Sequence, residues 1–375
     1  MAIKDGITSW FIQNIVIPNA EDIRNPGYII SKFSDKNKQV SIREFFFPEK
    51  FYQIFETSIA SELGKKGEKR LYSIGKRFGY RYAKISRYGN TSTMKKNDIE
   101  GFMYLFMRYI EVTYANKIEH KIDVEKKYLE IEADAYAGCE GNGLGYILLI
   151  GAGTGVWSYL MNDSKVDGYQ ITCQGRGDKL CKLVCAPINE LKKLAKNAIS
   201  EENVEGLDEN YQKYEVLNKV YPTINKNLSL KELIENKIFK YEKGKLFFQK
   251  QRMVGIEFSI YYMIDNEFSK DEKTNKIIFD SAFEAGREIG VGRDIIFIQK
   301  FLSSLGFGDT QIISQNGKYI ARFYHFPWAS ISKNCKHTII SGFTSGLISG
   351  AMKKNIVLKT VTTHEGGDGY HIKLD

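Results

Sequence analysis

The chain has 375 residues, a length that predicts two domains rather than one core. Hydrophobic residues make up 43% of it and charged residues 26%, which is ordinary for a soluble globular protein. The net charge of +9 comes from 54 basic residues intermixed with 45 acidic ones. Without a nucleic-acid-binding motif or a membrane-length apolar run, we expect neither nucleic acid as a partner nor a membrane span.

The first predicted elements are a strand at "FFFP" (residues 45–48) and a long helical pattern that ends in "YSIGKRFG", with Gly75 and Gly79. A predicted strand pair follows, "RYIEVTYANKIEH" and then "KYLEIEADAYA". Next come a glycine-rich stretch, "GYILLIGAGTGVWS" from Gly145, and a segment "CQGRGDKLC" at residues 173–181. The Gly177-Asp178 pair in that segment predicts a turn.

A second series repeats this order about 200 residues later. "LFFQ" (246–249) precedes a helical pattern that ends in "FEAGREIG", and a hairpin is predicted around "QNG" at 315–317. "GFTSGLISGAM" from Gly342 and "THEGGDGYH" (363–371) complete the match. Four matches in one order indicate two copies of an α+β domain, at residues 1–190 and 225–375, with a connecting helix or linker at 191–224.

The stretch "GAGTG" at Gly151–Gly155 has two interpretations. A loop of this composition after a strand is typical of an S-adenosylmethionine-dependent methyltransferase, although Leu149 stands where an acidic residue is usual. In the second copy, Gly342, Gly346 and Gly350 recur every four residues, which is one face of a helix. We therefore predict a helix, with Gly145, Leu149 and Gly153 on its packing face.

The chain has five cysteines, and four of them fall between residues 139 and 185. An odd, low number without a signal-peptide pattern predicts a reducing, cytoplasmic location. The clustering favours a metal site over a disulfide framework, and the turn between Cys173 and Cys181 would bring two thiols together.

These features together resemble the 4-vinyl reductase domain, which is also the sensor module of regulators of aromatic degradation. The resemblance rests on Gly145-Tyr146, on Cys173, Gly177, Asp178 and Cys181, and on residues 306–329 of the second copy. It implies a fold shared with subunits of trafficking complexes, in which helices back a sheet, and which is commonly dimeric. It also implies a pocket for a hydrophobic molecule, with zinc held nearby by three cysteines and one acid in the aromatic-sensing members.

Carried onto this sequence, the resemblance places Cys139, Cys173 and Cys181 as zinc ligands. The position of the family's acid holds Gln170, a poor zinc ligand, and Cys185 is an extra thiol that would replace it. The alternative is that these are buried structural cysteines. In the second copy the matching residues are Cys335, Thr363 and His371, and we expect that copy to bind no metal.

The sequence therefore predicts a non-catalytic module that binds or senses a hydrophobic or aromatic small molecule, with a structural zinc. The two halves would pack as an internal pseudo-dimer, and a homodimer of the whole chain remains an alternative. A partner protein would carry any signal. Three alternatives remain: a vinyl reductase or accessory acting on a tetrapyrrole, a methyltransferase using Gly151–Gly155, and a protein-interaction scaffold. His120, His325 and His337 have no nucleophile or acid at a telling spacing.

Overall fold

A computed structural model of the chain describes residues 2–17, 21–35, 38–139, 146–194, 220–330, 335–366 and 369–375. Gly145, the pair Gly367-Asp368 and most of the predicted linker lie outside these residues, so the predictions made for them stay predictions. Helices and antiparallel strands are both abundant, and the predicted α+β class is confirmed. Among the described residues, no helix is long and apolar enough to cross a membrane.

Eleven helices are described, besides a π-helical turn at Ile12–Val16 and short 3-10 turns at Gln174–Arg176 and Pro327–Ser330. They are α1 (Ala2–Phe11), α2 (Glu49–Leu63), α3 (Lys65–Ile85), α4 (Lys96–Tyr114), α5 (Ile147–Leu160), α6 (Ile188–Leu194), α7 (Leu230–Glu235), α8 (Ser259–Phe268), α9 (Glu272–Gly290), α10 (Ile295–Ser304) and α11 (Thr338–Met352).

Fourteen strands are described. They are β1 (Glu21–Asp22), β2 (Ile30–Asp35), β3 (Lys38–Pro48), β4 (Lys117–Asp123), β5 (Tyr128–Asp134), β6 (Val166–Thr172), β7 (Cys181–Pro187), β8 (Phe239–Glu242), β9 (Lys245–Phe248), β10 (Gln251–Glu257), β11 (Asp309–Gln315), β12 (Lys318–Tyr324), β13 (Thr360–Gly366) and β14 (Gly369–Leu374).

The strands form three antiparallel sheets. A six-stranded sheet has the order β1-β2-β3-β10-β9-β8, and β3 pairs with β10 so that Phe47 lies opposite Val254. Strands from both halves of the chain therefore share one sheet. The other two sheets have four strands each, in the orders β4-β5-β7-β6 and β11-β12-β14-β13. Each combines two hairpins in the same way, with a glycine-rich helix, α5 or α11, between them in the chain.

Those glycine-rich helices pack backbone to backbone on a neighbouring helix. A Cβ added at Gly151 or Gly155 of α5 would overlap the carbonyl oxygens of Tyr72 and Lys76 on α3. In the second half, a Cβ at Gly346 would overlap a carbonyl oxygen of α9 in the same manner. Only glycine permits an approach this close, so the contact offsets the cost of about 1 kcal/mol that glycine carries within a helix.

The interface between the halves is aromatic and buried. Tyr52 on α2 and Tyr261 on α8 are fully buried and share a hydrogen bond between their hydroxyl groups. Nearby, the buried Arg43 guanidinium donates to the carbonyl oxygens of His325 (2.8 Å), Gly27 (2.7 Å) and Gly306 (3.0 Å). Residues distant in the chain thus meet in one continuous core.

Several predicted elements need correction. Residues 151–155 lie inside helix α5, so the strand-then-loop arrangement of a methyltransferase site is not formed there. The predicted helix is correct, but its packing face carries Gly151 and Gly155 rather than Gly153. "LFFQ" enters β9, one strand earlier than the strand that leads into α8, and residues 108–114 end helix α4 instead of beginning a strand.

Candidate functional site

A cavity of about 140 Å³ lies in the first half of the chain. It is bordered by helices α3, α4 and α5, by the sheet β4-β5-β7-β6, and by Glu44 of β3 and Ile256 and Glu257 of β10. Most of its lining is apolar, and five tyrosines contribute rings to it: Tyr82, Tyr109, Tyr114, Tyr136 and Tyr146. Enclosed apolar cavities of roughly 150 Å³ in other proteins accept benzene, so this one has the size for a single aromatic ring.

Gly153 on helix α5 keeps this cavity open. It lines the cavity together with Leu149 and Ile150, on the side of α5 away from the contact with α3. A Cβ added at Gly153 would meet only one atom within 4 Å, Cδ2 of Leu183 at 3.4 Å. The glycines of one helix therefore have two roles, since Gly151 and Gly155 pack on a helix while Gly153 borders empty space.

Two buried carboxyl groups form a polar end of the cavity. Glu44 and Glu257 are cross-strand partners in the β3–β10 pair, and they are 6% and 3% exposed. Burial raises the pKa of Glu44 to about 7 and raises the pKa of Glu257 as well, against the opposing charge of Arg81. Near neutral pH the pair can both donate and accept hydrogen bonds, because a protonated carboxyl group is a donor.

Two further polar atoms lie in the lining. Tyr146 is fully buried, and its hydroxyl group has no hydrogen-bond partner among the described residues. The same holds for Oε1 of Gln170, which is 7% exposed. Buried polar atoms are normally paired, so these two are candidates to bind a ligand or an ion.

Three of the predicted zinc ligands meet beside the cavity. The sulfur atoms of Cys139, Cys173 and Cys181 all lie within 4.8 Å of one another, and all three residues are buried. Cys139 and Cys181 also line the cavity. We call these three residues the thiol cluster.

The predicted Gly177-Asp178 turn shapes this cluster. Gly177 has φ of 93°, a left-handed conformation that favours glycine. The Asp178 carboxylate accepts a hydrogen bond of 2.7 Å from the backbone N–H of Cys173. The turn thus carries the chain from Cys173, directly after β6, to Cys181, at the start of β7.

Hydrogen bonds among the three cysteines shift the pKa values of their thiols in different directions. Hydrogen bonds from Cys139, Cys181 and the Gly175 N–H lower the pKa of Cys173, so this residue is favoured as a thiolate. The same hydrogen bonds, first to Cys173 and then to Cys181, raise the pKa of Cys139. Three thiolates side by side require a cation, because their negative charges repel one another.

The three sulfur atoms lie close enough together to hold one metal ion. Zn–S bonds of about 2.3 Å in a tetrahedron place sulfur atoms roughly 3.8 Å apart, within the observed spread. Nε2 of Gln170 lies 3.7 Å from Sγ of Cys139, and the same amide carries the unpaired Oε1. A half-turn of the amide would direct that oxygen to the cluster as a fourth donor.

The structure does not bring Cys185 to the thiol cluster. It lies on β7 four residues after Cys181, and a strand of that length spans about 13 Å. Its sulfur instead lies 3.6 Å from Oγ1 of Thr154, and burial raises the pKa of its thiol to about 12. The expectation that Cys185 completes the site therefore has no geometric support.

In the second half, the group of possible metal ligands that contains Cys335 does not include His371, one of the matching positions named from the sequence. His371 accepts a hydrogen bond of 3.3 Å from the backbone N–H of His325. Cys335 meets Asp265 and His337, with donor atoms within 4.8 Å of one another. The Cys-x-His spacing before a glycine-rich helix was the only sequence signal for this group, because Asp265 is 70 residues away.

Comparisons with known proteins add little. No protein-family model matches the chain, and no curated protein sequence matches it. Among solved structures, it is similar to the phenol-responsive sensory domain of the transcription activator PoxR with phenol. The TM-score is 0.33 at 15% identity, over 43% of this chain and 85% of that one. A TM-score this low does not establish a common fold.

Proposed function

We propose that this protein binds a hydrophobic or aromatic molecule of about one ring in the cavity of its first half. The observation that supports the proposal is a largely apolar cavity with Glu44, Glu257 and Tyr146 in its lining. Ligand sites are typically of this kind, apolar with a few polar groups that orient the ligand.

The proposal includes a structural zinc ion held by the thiol cluster. Cys139 and Cys181 belong to both the cluster and the cavity lining, so the metal would fix one wall of the ligand site. Zinc bound by three thiolates supplies folding energy to the segments it joins. In the cytoplasmic location that we propose, all five cysteines stay as free thiols, as they are here.

The size of the cavity favours binding over the reductase alternative. Pockets for drug-sized ligands measure about 300–1,000 Å³, and a tetrapyrrole is at least that large. A cavity of about 140 Å³ fits a one-ring ligand better than a tetrapyrrole with a hydride donor beside it. Binding without catalysis is therefore the function we propose.

The equal order of elements in the two halves also supports a tandem duplication. Both halves contain a four-stranded sheet of the same order and a glycine-packed helix pair, and their strands β3 and β10 pair in one sheet. We propose that they form an internal pseudo-dimer, in which ligand binding to the first half is passed to a partner protein. The resemblance to the 4-vinyl reductase domain is part of this proposal.

Calorimetric titration with toluene and phenol tests the ligand site. We expect both to bind, and phenol about fivefold more tightly, because one hydrogen bond to the carboxyl pair contributes about 1 kcal/mol. Gly153→Ile fills the cavity and should abolish binding of both compounds, whereas Gly153→Ala should only weaken it. Unchanged binding in Gly153→Ile, or no binding by the native protein, would show that the cavity is not a ligand site.

Elemental analysis of the purified protein tests the zinc site. Cys173→Ser should lose the zinc of the thiol cluster, and Cys185→Ser, a buried thiol of the same half, should retain it. Equal zinc content in the native protein and in Cys173→Ser would exclude the thiol cluster as a metal site. Ligand binding is measured separately, so the two parts of the proposal can fail independently.

A further inference from the structure

We propose a second metal site in the other half of the chain, formed by Asp265, Cys335 and His337. It would bind a divalent ion of intermediate softness, with Zn²⁺ the first choice. The site is independent of the ligand cavity, whose lining contains none of these three residues.

The three side chains converge from two segments. Asp265 lies on α8, and Cys335 and His337 lie directly before α11. A carboxylate oxygen, a thiol sulfur and an imidazole nitrogen all lie within 4.8 Å of one another. Asp265 and His337 are fully buried and Cys335 is 9% exposed. Polar groups of these types seldom gather inside a protein core unless they bind each other or an ion.

The first half contains a matched acid that shows what is unusual about Asp265. Glu56 on α2 caps the N-terminus of α5 with both oxygens, accepting from the N–H groups of Ile147 (2.8 Å) and Leu148 (2.9 Å). Asp265 caps the N-terminus of α11 with Oδ1 alone, accepting from the N–H of Ile339 (3.1 Å). Helix capping therefore accounts for the burial of Oδ1 of Asp265 but not for the burial of Oδ2.

That other oxygen, Oδ2 of Asp265, is buried and has no hydrogen-bond partner among the described residues. Burial raises the pKa of Asp265, so its charged form needs a partner; the nearby indole N–H of Trp328 opposes that rise but makes no hydrogen bond among the described residues. A buried carboxylate oxygen without a partner is costly, and a metal ion would satisfy it.

The backbone at His337 is also unusual. With φ of 48° and ψ of 43° it is left-handed, a conformation that costs a non-glycine residue about 1 kcal/mol or more. His337 lies between Cys335 and the start of helix α11. Although Cys335 and His337 are only two residues apart, their donor atoms lie within 4.8 Å of each other. Metal binding would offset the strain.

The donor set indicates the ion. One thiolate, one imidazole and one carboxylate suit Zn²⁺, which takes sulfur, nitrogen and oxygen ligands in a tetrahedron. The two negative charges of the thiolate and the carboxylate balance a divalent cation. Three protein donors fill three of the four positions, and the fourth would take water or another donor.

Zinc stoichiometry tests the proposal. The full chain is stripped with a chelator, reloaded with Zn²⁺, freed of excess metal, and analysed for zinc per folded chain. We expect two ions in the native protein and one in His337→Asn, because asparagine tolerates the left-handed backbone and is a poor zinc ligand. His325→Asn is the matched control, since His325 is buried and left-handed (φ 60°) but is not in the group.

Two more variants guard against a folding defect at His337. Asp265→Asn keeps the oxygen that caps α11 and loses the charge, and Cys335→Ser replaces only the sulfur. Each should bind one ion, with a circular dichroism spectrum like that of the native protein. Two ions retained in all three variants would overturn the site, as would a native protein whose only ion is lost in Cys173→Ser. One ion that survives Cys173→Ser and is lost in His337→Asn would support this site and contradict the thiol cluster.

Discussion

The two halves share a framework and differ in what it encloses. Gly79 on α3 packs on the backbone of Ala152 of α5, and Gly290 on α9 packs on the backbone of Leu347 of α11. Yet the first half has a cavity beside its glycine-rich helix, whereas the residue at the corresponding position of the second half, Ile348, is fully buried. The same helix packing therefore does not determine what lies beside the glycine-rich helix.

One position explains much of the difference. Gly346 and Gly350 each lie 195 residues after their counterparts Gly151 and Gly155, and the same spacing places Ile348 where Gly153 lies. Ile348 is fully buried, whereas Gly153 borders the cavity. The two halves thus differ at this position by one side chain, which is absent beside the cavity and buried in the second half.

The largest effect should come from making the second half resemble the first. Ile348→Gly removes a buried side chain and adds a helical glycine, so we expect the free energy of unfolding to fall by about 4 kcal/mol. Urea denaturation measures this, with Ile348→Val as the control, which should cost about 1 kcal/mol. A loss below about 2 kcal/mol for Ile348→Gly would mean that this half collapses around the gap and that Ile348 is not what fills it.

The next test concerns what the halves share. Gly155→Ala and Gly350→Ala each place a methyl group against a carbonyl oxygen of the facing helix, that of Lys76 or Arg287. Because backbone cannot move aside as a side chain can, each should cost about 3 kcal/mol, the upper end for overpacking. Chemical denaturation should show similar losses in the two halves. A loss in one half alone would show that the two helix contacts are not equivalent.

Part of this picture could be predicted from the sequence. Glycine every four residues predicted the helices α5 and α11, because that spacing lies on one helix face. The predicted hairpin at residues 315–317 formed as expected, with Asn316 and Gly317 both left-handed. These features depend on residues that are close in the chain, so local sequence patterns can predict them.

The rest depends on distant parts of the chain. The contact between α5 and α3 determines which side of α5 carries Gly153. The spacing of the glycines alone therefore did not reveal the cavity. Cys185 follows Cys181 closely in sequence, but an extended strand separates the two sulfurs. Asp265 reaches Cys335 only because α8 packs at the start of α11.

Buried carboxyl groups in both halves should make stability depend on pH, since burial raises the pKa of Glu44 and that of Asp265. Burial raises the pKa of Glu44 from 4.5 to about 7 in the folded protein. The spacing of 209 residues that relates Tyr52 to Tyr261 relates Glu44 to Met253, so the second half has no carboxyl group at this strand position. The stabilising contribution of Glu44 is complete below pH 4.5 and is lost as pH rises through 7, because the folded state holds the proton longer.

Glu44→Gln should remove that contribution. Between pH 5 and 8 the native protein should lose on the order of 3 kcal/mol more of unfolding free energy than the variant does. Glu272→Gln on α9, which removes an exposed carboxyl group, is the control for the loss of one charge. Parallel profiles for the native protein and Glu44→Gln would show that Glu44 is ionised in the folded state throughout this range.

The smallest expected effect on stability is that of Gly153→Ile, a variant that should separate stability from ligand binding. Gly153→Ile gives the first half the residue of the second, and it replaces a helical glycine at a site where a Cβ meets only Leu183 Cδ2 at 3.4 Å. We expect a gain of about 1 kcal/mol in unfolding free energy, from helix propensity and from apolar contacts with the cavity wall. Differential scanning calorimetry with and without toluene measures both consequences. The native protein should be stabilised by toluene, and the variant should start more stable and not respond, because a cavity kept open at the expense of stability is useful only if a ligand fills it. A destabilised variant that still responds to toluene would place the ligand elsewhere in the molecule.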